Sequence, residues 1–440
     1  MQKHSWSNWS GSVSCNPKEI VYPQRLDELT DLVVETGRIG RHIRVAGAGH
    51  SFTRLVESED IIVSLDRLSG IVSADETQSR ATVWAGTHLK DLGESLFKVG
   101  LAQENLGDID TQSIAGAVST GTHGTGVRFG SIATQVEGLT LLTGAGDIIH
   151  CSPDENPELF KAAQVSFGAL GIIVQVTLRL EPTYRLRRES RRATLNECLT
   201  NLEQLKASNR NFEFFWFPYS EYCQLKTLNV TTDAATPVSK FNLLMENRVF
   251  SALSECCRIF PRISPSVSRL SGRLIPSVSE VNFGHRIFPT PRLVRFQEME
   301  YNVPAEEFVD TLLEIRECIN CQRFNVHFPV ECRFVRGDDI WLSPASGRDS
   351  AYLAVHMYKG MPYREYFDAL EPIFQRHQGR PHWGKMHTMP STQLASSYPR
   401  WDDFRRLRAE LDPKGVLLNP YLAGMLGMAD SSAQNASVVS

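Results

Sequence analysis

Apolar positions along the first 180 residues switch between two periods. Leu26, Leu29, Leu32 and Val33 recur at helical spacing and predict a helix, with Gly37 placed as its C-cap. Short β-rich runs follow at 42–46, 61–65 and 81–85. Leu89, Leu92 and Leu96 form a second helical stripe closed by Gly100. Beyond a glycine-rich stretch, strands are predicted at 136–142, 147–151 and 172–180, with a helix around 159–165. This mixture predicts an α+β unit over 1–183.

Glu181 and Pro182 end that block, and the pattern changes. Thr194 and Glu197 have the spacing of a capping box ahead of a helix to about Ser208. Aromatics cluster at 212–217, Ser, Pro and Arg dominate 251–279, and a second, strand-rich domain is predicted over 184–397. The tail, 427–440, is small and polar and is expected to be disordered.

Composition narrows the class. At 440 residues the chain exceeds what one core usually serves, which agrees with two domains. A net charge of -4 supplies no basic field, so nucleic acid is excluded as a partner. No apolar run is long enough for a membrane span and no signal peptide is visible, which predicts a soluble, cytoplasmic protein. The nine cysteines have no framework spacing, as expected in a reducing compartment. Cys318 and Cys321, followed by His327 and Cys332, make one weak Cys-x-x-Cys, and His382 and His387 are five apart. Buried structural thiols and no metal are expected.

Two glycine-rich loops carry the chemistry. The first, Arg44-Val45-Ala46-Gly47-Ala48-Gly49-His50-Ser51, follows a strand and begins like a dinucleotide fingerprint. Phe52 stands where the third glycine belongs, and a strand rather than a crossover helix follows, so the Rossmann reading fails. A plain turn between strands is the alternative. The second runs Gly116, Ser119, Thr120, Gly121, Thr122, His123, Gly124, Gly126, with Asn105 and Gly107 in a polar stretch upstream. Consecutive N–H groups and hydroxyls without a Walker lysine suit a phosphate nest, hence a dinucleotide held by backbone donors. An empty flexible loop is the alternative.

Together these loops resemble the FAD-binding segments of the aldonolactone oxidase branch of the vanillyl-alcohol-oxidase-type flavoproteins. Asn8-Trp9-Ser10-Gly11, the run from Phe167 through Gly171, Ile172 and Ile173, and the segments around Glu331, Pro344, Lys385 and Gly415 extend the likeness to about Leu426. The resemblance implies an α+β fold. A two-subdomain FAD-binding domain (1–183) joins a substrate or cap domain on an antiparallel sheet with flanking helices (184–397), and 398–426 returns to the FAD domain. It places cofactor contacts on both loops, on Asn105, Gly107, Gly171, Ile172 and Ile173, and on Lys385. His50 matches the position that often anchors the flavin covalently, the alternative being a histidine packed beside it. His123 is read as shaping the pyrophosphate turn.

Glu331 and Arg333 alternate on a predicted strand and so share one face. The resemblance assigns them to substrate binding and activation, while a surface cross-strand ion pair is the plain reading. Lys385 matches a lysine near the flavin's pyrimidine end, and His382 a substrate contact. His356, on an alternating strand, either faces the same cavity or is a core histidine. The implied function is oxidation of an aldono-1,4-lactone resembling L-gulono-1,4-lactone. Hydride passes from C2 to flavin N5, the product is ascorbate or an analogue, and oxygen or another electron acceptor closes the cycle. An alditol (xylitol or sorbitol) oxidase is the alternative, and a non-catalytic nucleotide- or carbohydrate-binding protein a distant one. Some members carry apolar mid-chain stretches that bind membranes. Here 251–279 is broken by Arg258, Arg262, Arg269 and Arg273, which again predicts a soluble protein.

Overall fold

The computed structural model describes residues 4–236, 240–290 and 294–428. The tail expected to be disordered lies outside these from residue 429. Three sheets organise the molecule. In the first, Glu19–Val21 (β1), Ile43–Ala46 (β2) and Ile61–Ser64 (β3) are parallel in the order β1-β3-β2. Only a single 3-10 turn, Arg54–Val56, lies between β2 and β3, so no crossover helix follows the first glycine loop. The helix Leu26–Arg38 (α1) covers this layer through Leu29 and Val33, both fully buried. It runs past the expected stop. Gly37 packs on Val416, and the left-handed residue is Gly40 (φ +67°).

The second sheet is antiparallel. Ile71–Asp75 (β4), Arg80–Trp84 (β5), Val136–Leu142 (β6), Ile148–Cys151 (β7) and Ile172–Arg179 (β8) assemble as β7-β6-β8-β5-β4. Helices Leu89–Lys98 (α2), Ile114–Ser119 (α3) and Pro157–Ala163 (α4) bury apolar stripes beside it.

The third sheet holds eight antiparallel strands: Arg185–Thr194 (β9), Asn211–Trp216 (β10), Tyr222–Val230 (β11), Val278–Phe283 (β12), Phe296–Pro304 (β13), Val330–Val335 (β14), Ser350–Tyr358 (β15) and Arg380–Pro381 (β16). Their order is β12-β9-β11-β10-β14-β15-β13-β16. One face is apolar. Phe214 and Phe334 pack on Phe308 of the helix Phe308–Gln322 (α5), and Tyr301 stacks on Phe374 of Arg364–Arg376 (α6). The other face is polar and is taken up below.

Four expectations are corrected here. The helix from 195 to 208 is two helices, Leu195–Thr200 and Leu202–Ser208, divided at Asn201. Only half of the capping box forms: Glu197 N–H donates to Thr194 Oγ1 (3.0 Å), but the Glu197 carboxylate turns to Arg191. Within the strand-rich domain, 251–279 is mostly helical, in Lys240–Ile259 and Ser264–Arg273. Cys318 and Cys321 lie in the last turns of α5, half-buried and exposed rather than buried. No helix among the described residues is long and apolar enough to cross a membrane.

The chain's last described stretch lies against β2. Asp412, fully buried, accepts from Val416 N–H (2.8 Å) and Leu417 N–H (2.9 Å), and Ile43 N–H donates to Val416 O (2.7 Å). Replacing Asp412 with alanine leaves two buried N–H groups unmatched. A loss of about 2–3 kcal/mol is expected in denaturant melts.

Candidate active site

A cleft of about 1040 Å³, part of it open to solvent, runs between the first two sheets. Arg44, Ala46, Gly47, Ala48, Gly49, His50 and Ser51 line it from one side, Gly116, Ser119 and Thr120 from a second, and Gly171, Ile172 and Ile173 from a third. The backbone must come close here. A Cβ on Gly47 would sit 2.6 Å from Ser113 Oγ, and Gly49 takes φ +69°. Ser113 caps α3, accepting from Gly116 N–H. The lining is largely apolar, with amides and hydroxyls set into it; it carries no lysine, and its one arginine is committed elsewhere. Arg44 donates to the carbonyls of Leu55 (2.7 Å), Phe167 (2.7 Å), Gly168 (3.3 Å) and Leu417. Burial lowers its pKa to about 10, so it stays charged at neutral pH and acts as a clasp. Amides, hydroxyls and close-approaching glycines suit a flat, phosphate-bearing nucleotide.

His50 stands half-buried at the cleft's edge. Its Nε2 meets Thr111 Oγ1 at 2.8 Å, and Trp9 stacks on the ring at 5.3 Å. Burial, assisted by Lys385, lowers its pKa to about 4, which leaves a neutral imidazole.

The second half of the glycine loop does not line the cleft. Asn105, Gly107, Gly121, Thr122, His123, Gly124 and Gly126 lie beyond it, and several of them join the loop to the large sheet. Asn105 Nδ2 donates to Thr125 O, Gly126 N–H to Phe334 O, and Thr125 Oγ1 to Phe212 O. His123, read from sequence as shaping the pyrophosphate turn, stacks on Tyr352 (3.6 Å) and meets Glu300 at 3.1 Å.

Strand register explains the polar face. Across neighbouring strands Glu213 pairs with Arg333 and Arg333 with Tyr352; one row over, Glu331, Ala354 and Glu300 align, and beyond them His356 and Glu298. Because side chains alternate, all of these point to one side. Arg333 binds Glu331 (2.6 Å), Glu213 (2.7 Å) and Asp108 (2.8 Å); Lys226 also reaches Glu213 (2.5 Å). Glu331 and Arg333 are 6% and 8% exposed, so they are no surface pair. Opposite them Lys385 binds Glu298 (2.5 Å), and His356 lies 3.4 Å from Glu298 and 4.0 Å from Glu331. Ala354, between the Glu331 and Glu300 positions, keeps the centre of the row low.

Glu298, Glu300, Asp108, Glu213 and Lys226 were missed from sequence. A signal existed for two of them: Glu298 and Glu300 alternate within Gln297–Tyr301, inside a strand whose nine residues are all buried. Burial opposes ionisation of Glu298, but Lys385 and His356 bring its pKa down to about 2. Glu300 is likewise held well below the carboxylate range against burial, chiefly by His123. The atoms of His123, Glu300 and His382, and of Asp108, Glu213 and Glu331, gather closely enough to hold a cation, within 4.8 Å. Lys385 and Arg333 already lie against those carboxylates. His327 is bonded to Ser254 (2.9 Å).

Burial lowers His382 to about 3 and His327 to about 4. Both values lie below the unfolded one, so the unfolded chain binds more protons and stability is lost as pH falls from about 6.5 toward 4. Between pH 7 and 5 the two should together remove roughly 2–4 kcal/mol, read as a falling Tm of the cofactor-free protein. A Tm flat over that range would contradict neutral, buried imidazoles.

Comparison with known proteins adds to this geometry. A family described as FAD binding domain matches residues 17–152, and one described as D-arabinono-1,4-lactone oxidase matches 176–425. The chain is similar to the L-gulono-1,4-lactone dehydrogenase of Mycobacterium tuberculosis, 37% identical over 426 residues that cover 96% of this chain and 99% of the relative. Similarity extends to the L-gulonolactone oxidase of Mus musculus (32%, covering 95% and 97%). The D-arabinono-1,4-lactone oxidase of Yarrowia lipolytica is 28% identical over 94% and 96% of the two chains. A crystal structure of cholesterol oxidase from B. sterolicum superposes with a TM-score of 0.81 at 18% identity, covering 97% of both chains, and shares the fold.

Proposed function

Given that this chain belongs to the D-arabinono-1,4-lactone oxidase family and is an FAD-dependent oxidoreductase of aldono-1,4-lactones, we propose that it oxidises C2 of an L-gulono-1,4-lactone-like substrate on the polar sheet face. The observation that carries this reading is the pairing of Glu331 with Arg333 on one wall and the gathering of Lys385 and His356 on Glu298 on the other, across Ala354. When bound in the cleft, FAD supplies the hydride acceptor. Arg333 grips the lactone oxygens, and the C2 hydroxyl proton passes to Glu331, which His356 faces. Lys385 places a positive charge where negative charge develops on the cofactor side. His382, accepting from Gly384 N–H at Nδ1 (3.0 Å), keeps its other nitrogen protonated and able to donate to substrate. The 2-keto-lactone released enolises to ascorbate or an analogue, and oxygen or another acceptor takes the electrons. His50, neutral and fixed by Thr111 at the cleft's edge, is the covalent anchor in this reading.

An anaerobic titration tests it. L-Gulono-1,4-lactone should bleach the flavin band at concentrations where xylitol and sorbitol leave it unchanged. Yellow colour should remain in an acid-precipitated pellet and move to the supernatant in His50→Ala. Bleaching by xylitol alone would transfer the activity to alditols, and bleaching by none of them would sink the proposal.

A further inference from the structure

Glu298 touches both Lys385 and His356. It lies directly across from His356 in the β13–β15 register, 5% exposed. One oxygen meets Lys385 Nζ at 2.5 Å and the other faces His356 Nε2 at 3.4 Å. The same residue also holds the lysine's backbone, because Met386 N–H donates to Glu298 O (3.0 Å). The segment 382–386 has no strand or helix around Lys385 to fix it. Its other ties include a turn bond from Lys385 N–H to His382 O (2.8 Å), His382 N–H to Glu300 O (3.0 Å), Phe52 N–H to Gly384 O (2.7 Å) and the Trp383 indole N–H to Leu342 O (2.6 Å), none of which grips the lysine side chain. A lysine carries four rotatable bonds and costs much side-chain entropy to hold in one place. Its remaining neighbours are weaker anchors: Glu300 stands 4.0 Å away and is occupied by His123, and the Phe52 ring lies 5.2 Å below.

We infer that Glu298 is a positioning residue that holds the Lys385 ammonium and the His356 imidazole side by side on the wall facing Glu331 and Arg333. The inference rests on the lactone-oxidase reading above. Glu298 touches neither substrate nor cofactor in this account and acts through the two groups it holds. Glu300, on the same strand and face, serves His123 instead, so the two glutamates are not interchangeable.

The test is a double-mutant cycle on the flavin-loaded enzyme with L-gulono-1,4-lactone, joined to a chemical readout that needs no substrate. Glu298→Gln keeps the shape and removes the charge, and should lower kcat about 10–100-fold while KM stays within about threefold. In a Lys385→Met background the same change should cost at least about fivefold less than in wild type, because the nearer of the two groups it acts through is gone. Acetic anhydride labelling of Lys385, followed by mass spectrometry, should run at least about fivefold faster in Glu298→Gln and unchanged in Glu300→Gln, since only the first loses the close ion pair. Multiplicative losses in the double variant, or an unchanged labelling rate, would overturn the inference. Should Glu298→Gln fail to fold, Glu298→Asp carries the test: its shortened arm should still speed labelling and retain more turnover than Glu298→Ala. Equal turnover of the aspartate and alanine variants would also overturn it. If wild-type flavin is not bleached by the lactone, the functional reading fails, while labelling still decides what Glu298 does.

Discussion

Arg333→Leu is expected to reduce kcat/KM for the lactone by at least about 1,000-fold and to lower stability by about 3–5 kcal/mol. Two losses combine. The guanidinium is the proposed grip on the substrate's oxygens, and it is also the shared partner of Glu331, Glu213 and Asp108 at 2.6–2.8 Å. With it gone, Lys226 stays beside this group, 2.5 Å from Glu213 and 3.7 Å from Asp108. Removing one partner of a buried ion pair costs far more than the pair itself contributes, because the remaining charge has no water to return to. Arg333→Lys separates the effects. It restores a positive charge and so part of the stability, but not the planar fork that reaches several carboxylates at once, and turnover should stay low. Steady-state kinetics and guanidinium melts on the two variants provide the check. A leucine variant as stable as wild type would mean that the carboxylates are protonated and the buried charge cluster is misread.

The second large effect is expected at a glycine outside every recognised motif. Gly86 follows β5 at the edge of the cleft, and a methyl there would collide with the Leu65 carbonyl and come within 2.8 Å of Leu68 O. Both obstacles are backbone, so a side-chain shift cannot relieve them. Gly86→Ala should cost about 4 kcal/mol or more and leave a protein that no longer retains flavin after gel filtration. Gly424→Ala is the matched control. It lies in a helix with nothing within 4 Å of the added carbon, and should be neutral or stabilising by up to about 1 kcal/mol. A Gly86→Ala protein that keeps its flavin and its Tm would contradict the close approach of the Leu65 turn to β5.

Much of this architecture was readable along the chain. Strands β6 and β8 and helix α2 fall within a residue or two of their apolar periods, because each buries one continuous stripe. Turn chemistry was less exact: Gly37 looked like a stop, but tertiary packing on Val416 needed a small residue there, and the helix ended at the next permissive glycine. The site divides the same way. The cleft-facing loops and the Glu331–Arg333 alternation are local patterns. What brings Glu298 opposite His356, or Glu213 beside Arg333, is a register between strands tens of residues apart, and no local period encodes it. Asp108 sat in a stretch that read only as a turn, and Glu213 was hidden inside an aromatic run.

The clasp made by Arg44 bears on when the protein can be loaded. That guanidinium gathers carbonyls from Leu55, Phe167 and Gly168, and then from Leu417, 373 positions further along. Leu417 itself lines the cleft. A nascent chain that has emerged as far as the large sheet owns both glycine loops and the whole polar face, yet its cleft still lacks Leu417 from its lining and Arg44 one of its four carbonyl partners. A chain cut short before Leu417 should therefore accumulate colourless, however well the rest of it has folded.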